Sequence, residues 1–373
     1  MTVQPAAPGG SGLRLRLARQ ARGFSQLQLA RMAGVSRQAV SAVEAGLSDP
    51  SLRVALTLSR ALGMTVEQLF GPAISEKTVP VRPLAPVGPP GARVSLAPVG
   101  DTLVALPLSG PTVTRAGFAP AGGRAQGPDE VSPLGPPRPT LLVAGCDPAL
   151  PLLELPLGLL DPPVSFLWWP CASQDALTLA GDGLVHVAGA HLRDAAGDYN
   201  TAAAADLIPG GADVIGFCSW REGLVLRPDL PSGITGLREA AAAGLRLVNR
   251  EPGAEARRVL DRELAAAGVA PQSLPGYETR ATGHLEVAAA IAAGLADAGI
   301  ASEPAALAYG LRFIPLTEER FDLVVPAVQA GSREVQALLR ALTSQWLLDQ
   351  LTSLPGYSLS NCGERIATLP PAG

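Results

Sequence analysis

The sequence predicts an all-α head, a small β-module and a bilobal α/β body, in that order along 373 residues. Three observations carry this reading. Residues 25–46, SQLQLARMAGVSRQAVSAVEAG, hold two helix starts around a glycine turn. Residues 72–91 and 119–139 are rich in Pro and Gly, and from Thr140 onward short apolar runs alternate with helical periodicity. The boundaries fall at 11–72 for the head, 73–139 for a linker containing the β-module, and 140–366 for the body.

In the head, Leu13, Leu17 and Ala21 recur at helical spacing. Ser25 is a good N-cap with Gln28 in the capping-box position, so a helix starts there and ends at Gly34. Ser36 caps a second helix with Ala39, Val40 and Val43 on its inner face, closed by Gly46. Leu52, Ala55, Leu56, Leu58 and Leu62 mark a fourth helix, and Thr65 to Phe70 a short fifth. The eight Arg of residues 11–72 face only Glu44, Asp49 and Glu67, a count of +5 in a chain of net charge −4. A basic head on an acidic body suits attraction to phosphate at one end only.

With Gln26, Ala30, Gly34, Val35, Val40, Glu44 and Gly46 in place, residues 11–72 resemble the XRE or lambda-repressor-like helix-turn-helix family. The resemblance implies binding of double-stranded DNA, with Gln26 at a phosphate contact, Ser36 at the start of the recognition helix, and Arg37, Gln38, Ser41 and Ala42 toward the major groove. The residue chemistry agrees: Arg suits guanine O6 and N7, Gln suits adenine N6 and N7, and Ala can touch a thymine methyl. Glu44 reads as a structural partner at the helix end.

The two Pro/Gly-rich stretches read as linkers that let head and body move relative to each other. Between them ARVSLAPVG, DTLVALPLSG and PTVTRAGFA suggest three short strands, a spacer or dimerisation element. In the body, LLVAG, VSFLWW and VHVAG are strands, with helices expected over Pro148 to Leu160 and Ser173 to Ala180. DVIGFCSW and GLVLRP form an extended excursion. A second α/β unit follows, with LRLVNR and AGIA as strands and helices over Gly253 to Ala267 and His284 to Gly294. FDLVVPAV returns as a strand, and Ser332 to Leu351 is a single closing helix. Two lobes joined by two crossing strands put a ligand between them, at the strand ends.

Blocks such as AGCDPAL, VAGAHLRDAAGDYN, WREGLVL, NREPGAEARRVLD and LPGYSLSNCGE make residues 140–366 similar to type II periplasmic-binding-protein-like domains found behind helix-turn-helix heads and related to molybdate-binding proteins. The resemblance implies an oxyanion pocket built from hydroxyls and helix N-termini. The family's first Gly-Ser stands here as Gly145 and Cys146, followed by Asp147; its second survives as Ser173; its Gly-Ser-Gly-Thr-Arg reads Gly253 to Arg257 with Glu255 inside. An unpaired Glu255 beside a dianion is costly, so either it pairs with Arg257 or Arg258 or the ligand is not molybdate.

His191, Tyr199 and Asn200 follow a strand of the first lobe and line the cleft or serve the turn. Arg250 is the charge-bearing ligand contact, or else a salt-bridge partner of Asp261 or Glu251; His284 meets an anion or caps its helix. Cys146 and Cys171 either approach across adjacent strand ends or are buried inert thiols.

The expected function is a one-component, cytoplasmic transcriptional regulator, a homodimer on an inverted-repeat operator, modulated by a small ligand with molybdate or tungstate favoured. The alternatives are a different small molecule, a metal or redox signal in the same cleft, or a molybdenum-cofactor-related enzyme with a DNA-binding head. No GxSxG, HExxH or P-loop is present, and the three His are not grouped with carboxylates at any recognisable spacing, so an enzyme is not expected. No cofactor is expected either. Four cysteines without a CxxC argue against a metal site, and the absence of a long apolar run argues against a membrane partner.

Overall fold

Ser25 and Ser36 act as the sequence anticipates, and they organise the head in the computed structural model, which describes residues 11–70, 78–110, 118–194 and 196–372. Helices α1 (Ser11–Ala21), α2 (Gln26–Ala33), α3 (Arg37–Glu44), α4 (Leu52–Leu62) and α5 (Val66–Phe70) form the head. The Ser25 hydroxyl accepts from the Gln28 amide while the Gln28 side chain accepts from the Ser25 amide, a complete capping box. Gly34 ends α2 at φ 67°, and Ser36 caps α3 by accepting from the Ala39 amide.

Two buried faces differ from expectation. On α1 the core side chain is Leu15, with Ala18 partly buried, whereas Leu17 is 54% exposed. On α4 the core takes Ala55, Leu58 and Leu62, leaving Leu52 and Leu56 outward. Runs of leucine satisfy more than one helical phase, and packing against Leu29, Val40 and Val43 selects the phase.

Residues Met1–Thr78 and Val79–Gly373 are separate compact units. The two stretches expected as linkers around the β-module also contribute strands to it. Strands β1 (Val79–Pro80), β2 (Arg82–Pro83), β3 (Arg93–Val99), β4 (Thr102–Pro107), β5 (Gly123–Ala125) and β6 (Glu130–Pro133) make a six-stranded sheet of order β1-β6-β5-β3-β4-β2. Most of the third expected strand, residues 111–117, lies outside the described residues. Proline at the ends of β1 and β2 is tolerated because both are edge strands. Ala97, Val99, Val104 and Leu106 of this module share one core with Leu142, Ala144, Ala176 and Leu177 of the body. The module is therefore a packed part of the body.

The body's first lobe holds parallel strands β7 (Thr140–Ala144), β8 (Ser165–Trp169) and β9 (Val187–Ala190). Its helices are α6 (Glu154–Gly158), α7 (Ser173–Gly181) and α8 (Thr201–Leu207). The helix expected over Pro148 to Leu160 is broken into a 3-10 turn, Leu150–Leu153, and the short α6, because Pro151 and Pro156 interrupt it.

Strand β10 (Ala212–Leu226) then crosses to the second lobe. That lobe contains α9 (Leu237–Ala242), β11 (Leu247–Arg250), α10 (Glu255–Ala267), β12 (Arg280–Ala281), α11 (His284–Ala292), β13 (Ala298–Ser302) and α12 (Glu303–Ala308). Strand β14 (Arg312–Pro326) returns antiparallel to β10. The expected closing helix is two, α13 (Arg333–Leu342) and α14 (Gln345–Thr352), because Ser344 caps a new start by accepting from the Leu347 amide. Strands β15 (Tyr357–Ser358) and β16 (Arg365–Leu369) finish on β10. The body sheet runs β12-β11-β13-β10-β14-β9-β7-β8. No helix among the described residues is long and apolar enough to cross a membrane.

Gly189 on β9 admits the Phe321 ring of β14: a Cβ there would lie 2.3 Å from the ring. Gly189→Ala is expected to destabilise the body by about 1 to 3 kcal/mol through overpacking. Chemical denaturation of the full chain measures it, and an unchanged body transition would refute the close fit.

Candidate functional site

The ends of the parallel strands and the middle of the crossing strands converge on one buried spot. Cys146 follows β7, His191 follows β9, Arg250 ends β11, His284 opens α11 and Ser302 ends β13. From the crossing strands come Trp220 and Glu222 on β10 and Glu319 and Phe321 on β14, with Trp220 directly opposite Glu319 in the ladder. The lobes meet here: Cys146 Sγ of the first is 3.8 Å from His284 Nε2 of the second, and the His191 and His284 ring centroids are 5.7 Å apart. Trp220 packs against both rings at 5.5 and 5.9 Å. His191, Glu222, Glu319 and His284 are all essentially buried.

Electrostatics follow from that burial. Burial, reinforced by Glu319, pushes the Glu222 carboxyl up to about 8. Burial disfavours charge on His191, yet Cys146, Glu319 and Glu222 outweigh it and hold the ring well above the ordinary imidazole range. His284 goes the other way, since burial, Arg250 and His191 all oppose its proton. Its Nδ1 accepts from the Ser302 amide at 3.2 Å, so the hydrogen of the neutral ring sits on Nε2, toward Cys146.

Several residues expected to hold ligand are already occupied. Arg250 is clamped by Glu251 at 2.8 and 3.0 Å, one of the two salt bridges anticipated for it. Glu255 is buried at the start of α10 and bonds Arg262 at 2.9 Å, with Arg258 at 3.5 Å. Arg257 instead lies over the Tyr277 ring and donates to the Arg250 carbonyl. Ser173 accepts from the His191 amide, which fixes the loop and engages the hydroxyl.

Asp147 is fully buried, accepting from the Ala149 amide, the Tyr357 hydroxyl and the Cys218 thiol. Tyr199 donates to the Glu318 carbonyl. Asn200, at φ 67°, accepts from the Leu192 amide and donates to Asp322. All three side chains are engaged within the protein. Cys146 and Cys171 are free thiols, and burial raises Cys171 well above the ordinary thiol range.

Trp220, Glu222 and Glu319 were not among the sequence candidates. Their signal was there: in WREGLVL and TEERFDLVV a carboxylate takes an alternate position shared with Trp, Phe and Leu, where a strand buries its side chains. The histidines were ungrouped in sequence, but His191 and His284 meet these carboxylates in space. The cleft therefore departs from the expectation of no metal-ligating cluster: His191, Glu222 and Glu319 form one set, and Cys146, His191 and His284 another.

In the head, Arg37, Gln38 and Ser41 are exposed along α3 while Ala42 is half-buried. Ser36 is engaged as the cap. Gln26 donates to Glu44 at 2.9 Å, and Arg19 binds the same carboxylate at 2.6 and 3.0 Å. Glu44 has the structural role expected of it.

Residues 158–343 match the family described as PBP superfamily domain, and residues 15–69 match the helix-turn-helix family. The uncharacterized protein YvgK of Bacillus subtilis is 30% identical over 241 residues, covering 64% of this chain and 76% of that protein. This chain belongs to the PBP superfamily, with a helix-turn-helix domain at its head. The head is also similar to the uncharacterized HTH-type transcriptional regulator MJ0272 of Methanocaldococcus jannaschii, 37% identical over 57 residues, 15% of this chain and 86% of that one. The PBP superfamily body is similar to the tungstate ABC transporter structure from Geobacter sulfurreducens at 14% identity and TM-score 0.43, covering 57% of this chain and 97% of that one.

Because Glu44 satisfies both Arg19 and Gln26, Glu44→Ala is expected to destabilise the helix-turn-helix unit by on the order of 2 kcal/mol. The PBP superfamily body should keep its own unfolding transition. Two-probe thermal denaturation separates them, and an unshifted head would remove the triad from the stabilising contacts.

Proposed function

We propose that this protein is a one-component transcriptional regulator whose affinity for double-stranded DNA changes when a small ligand is captured between the lobes of its body. The observation that carries the reading is the pairing, in one chain, of an exposed Arg37-Gln38-Ser41 row on a capped helix with a cleft in which His191, Glu222 and Glu319 lack hydrogen-bond partners. The M. jannaschii relative, named as an HTH-type transcriptional regulator, supports the first half. We assign it an inverted-repeat operator and a homodimeric state, since a helix-turn-helix dimer reads two half-sites about one helical turn apart. The ligand acts through its different affinities for the two states of the protein.

The resemblance of the body favours molybdate or tungstate as ligand. The cleft supports a different class. Arg250, the counter-charge an oxyanion would use, is spent on Glu251, and the start of α10 holds Glu255. The groups left unpartnered are two carboxylates, Glu222 and Glu319, and the His191 imidazole, a donor set that suits a cation.

Selection of operator sequences from random duplexes with the full-length protein tests the DNA half. Gln38→Ala should then lose about 1 to 3 kcal/mol of discrimination at one base position and keep its phosphate-driven background binding. Failure to enrich any sequence above that background would sink the regulator reading.

A further inference from the structure

Three ionisable residues in the cleft have side chains left wholly unpartnered, with Trp220 Nε1 and Ser302 Oγ unpartnered beside them. Both ring nitrogens of His191, both carboxylate oxygens of Glu222 and both of Glu319 have no hydrogen-bond partner, although all three side chains are fully buried. Buried carboxylates are expected to be paired or to coordinate a metal. One ligand atom from each of the three lies within 4.8 Å of the other two. His191 Nδ1 stands 3.5 Å from Glu319 Oε2, too long for a hydrogen bond. Around a tetrahedral ion with bonds of about 2.1 Å, ligand atoms are separated by about 3.4 Å, so that spacing suits a shared ion.

We propose that His191, Glu222 and Glu319 form a binding site for a divalent transition-metal ion of the zinc class, held between the two lobes. It rests on the reading of the cleft as the effector site only for its consequence at DNA; ion binding is measured apart from DNA. Two carboxylates and a neutral imidazole balance a dication, leaving no net charge in the buried site. An imidazole nitrogen, with the polarisable Cys146 thiol beside it, selects first-row transition ions over calcium or magnesium, which take oxygen ligands. Among the described residues the alternative grouping, Cys146 with His191 and His284, is the poorer site. His284 accepts from the Ser302 amide through Nδ1 and carries its hydrogen on Nε2, so it has no lone pair left for an ion. Its place is that of a donor toward Cys146, and through α11 it ties the second lobe to the site.

The ligands come from three places in the chain. His191 follows β9 in the first lobe, while Glu222 and Glu319 sit on the strands that pass between lobes. An ion here holds together the end of a first-lobe strand and the crossing itself.

The test uses the full-length protein, stripped with chelator and dialysed against zinc or cobalt(II). Elemental analysis should find one ion per chain, and cobalt should give the visible spectrum of a low-coordinate site. Glu222→Gln and Glu319→Gln keep the side-chain volume and remove the charge. Each should weaken zinc at least about tenfold, while Cys362→Ser, whose thiol lies against the Leu342 carbonyl, changes nothing. Thermal unfolding without metal controls for folding: the two Gln variants should be at least as stable as the wild type, and only the wild type should gain stability on adding zinc. Substoichiometric uptake, or equal affinity in the Gln variants, overturns the assignment. So does calorimetric binding of molybdate or of an organic amine at this site in the absence of any metal uptake.

Discussion

The antiparallel pairing of β10 with β14 is the constraint on which the body depends. Among the described residues it is the one long ladder that belongs to both lobes: β10 pairs with β13 of the second through Glu222 to Leu226, and β14 pairs with β9 of the first through Asp322 to Val324. The same register delivers the chemistry. Trp220 opposite Glu319 places an indole and a carboxylate on one side of the crossing, and Glu222 follows two residues along. Two strands that hold the lobes together also supply the groups that stand between them. At Gly223 the strands are so close that a Cβ would lie 2.1 Å from the Ile314 carbonyl oxygen, so the crossing requires that glycine.

Local signals were legible where they act locally. Ser25 with Gln28, Gly34, and Ser36 are complete instructions within a few residues, and the structure follows them. Phase and continuity were harder to read. Leucine-rich α1 and α4 could turn more than one face inward, and the choice came from packing against Leu29 and Val40. The amphipathic pattern from Ser332 to Leu351 conceals a break because α13 and α14 both bury leucines, and only Ser344 marks the restart. Proline-rich composition suggested linkers, yet Pro80 and Pro83 lie on edge strands, where a missing N–H costs no ladder bond.

The cleft was half legible. Strand ends announced Cys146, His191, Arg250 and His284 because open α/β sheets place ligands there. Arg250 and Glu255 found neighbouring partners at Glu251 and Arg262, a choice that spacing alone leaves open. Glu222 and Glu319 lie about a hundred residues apart in sequence and become one pair only through the β10–β14 register. Charge in the inward phase of an otherwise apolar strand is the trace such a pair leaves in sequence.

The shared core of the six-stranded module and the first lobe has a mechanical consequence. Ala97, Val99, Val104 and Leu106 share a core with Leu142 and Ala144, which ties the module to the first lobe, while the module keeps a second core around Val94 and Val131. The second lobe keeps cores of its own, around Leu247 and Leu260 and around Val248 and Ile291. What joins this lobe to the first is the pair of crossing strands, β10 and β14. Force exerted between the lobes would fall on those two strands.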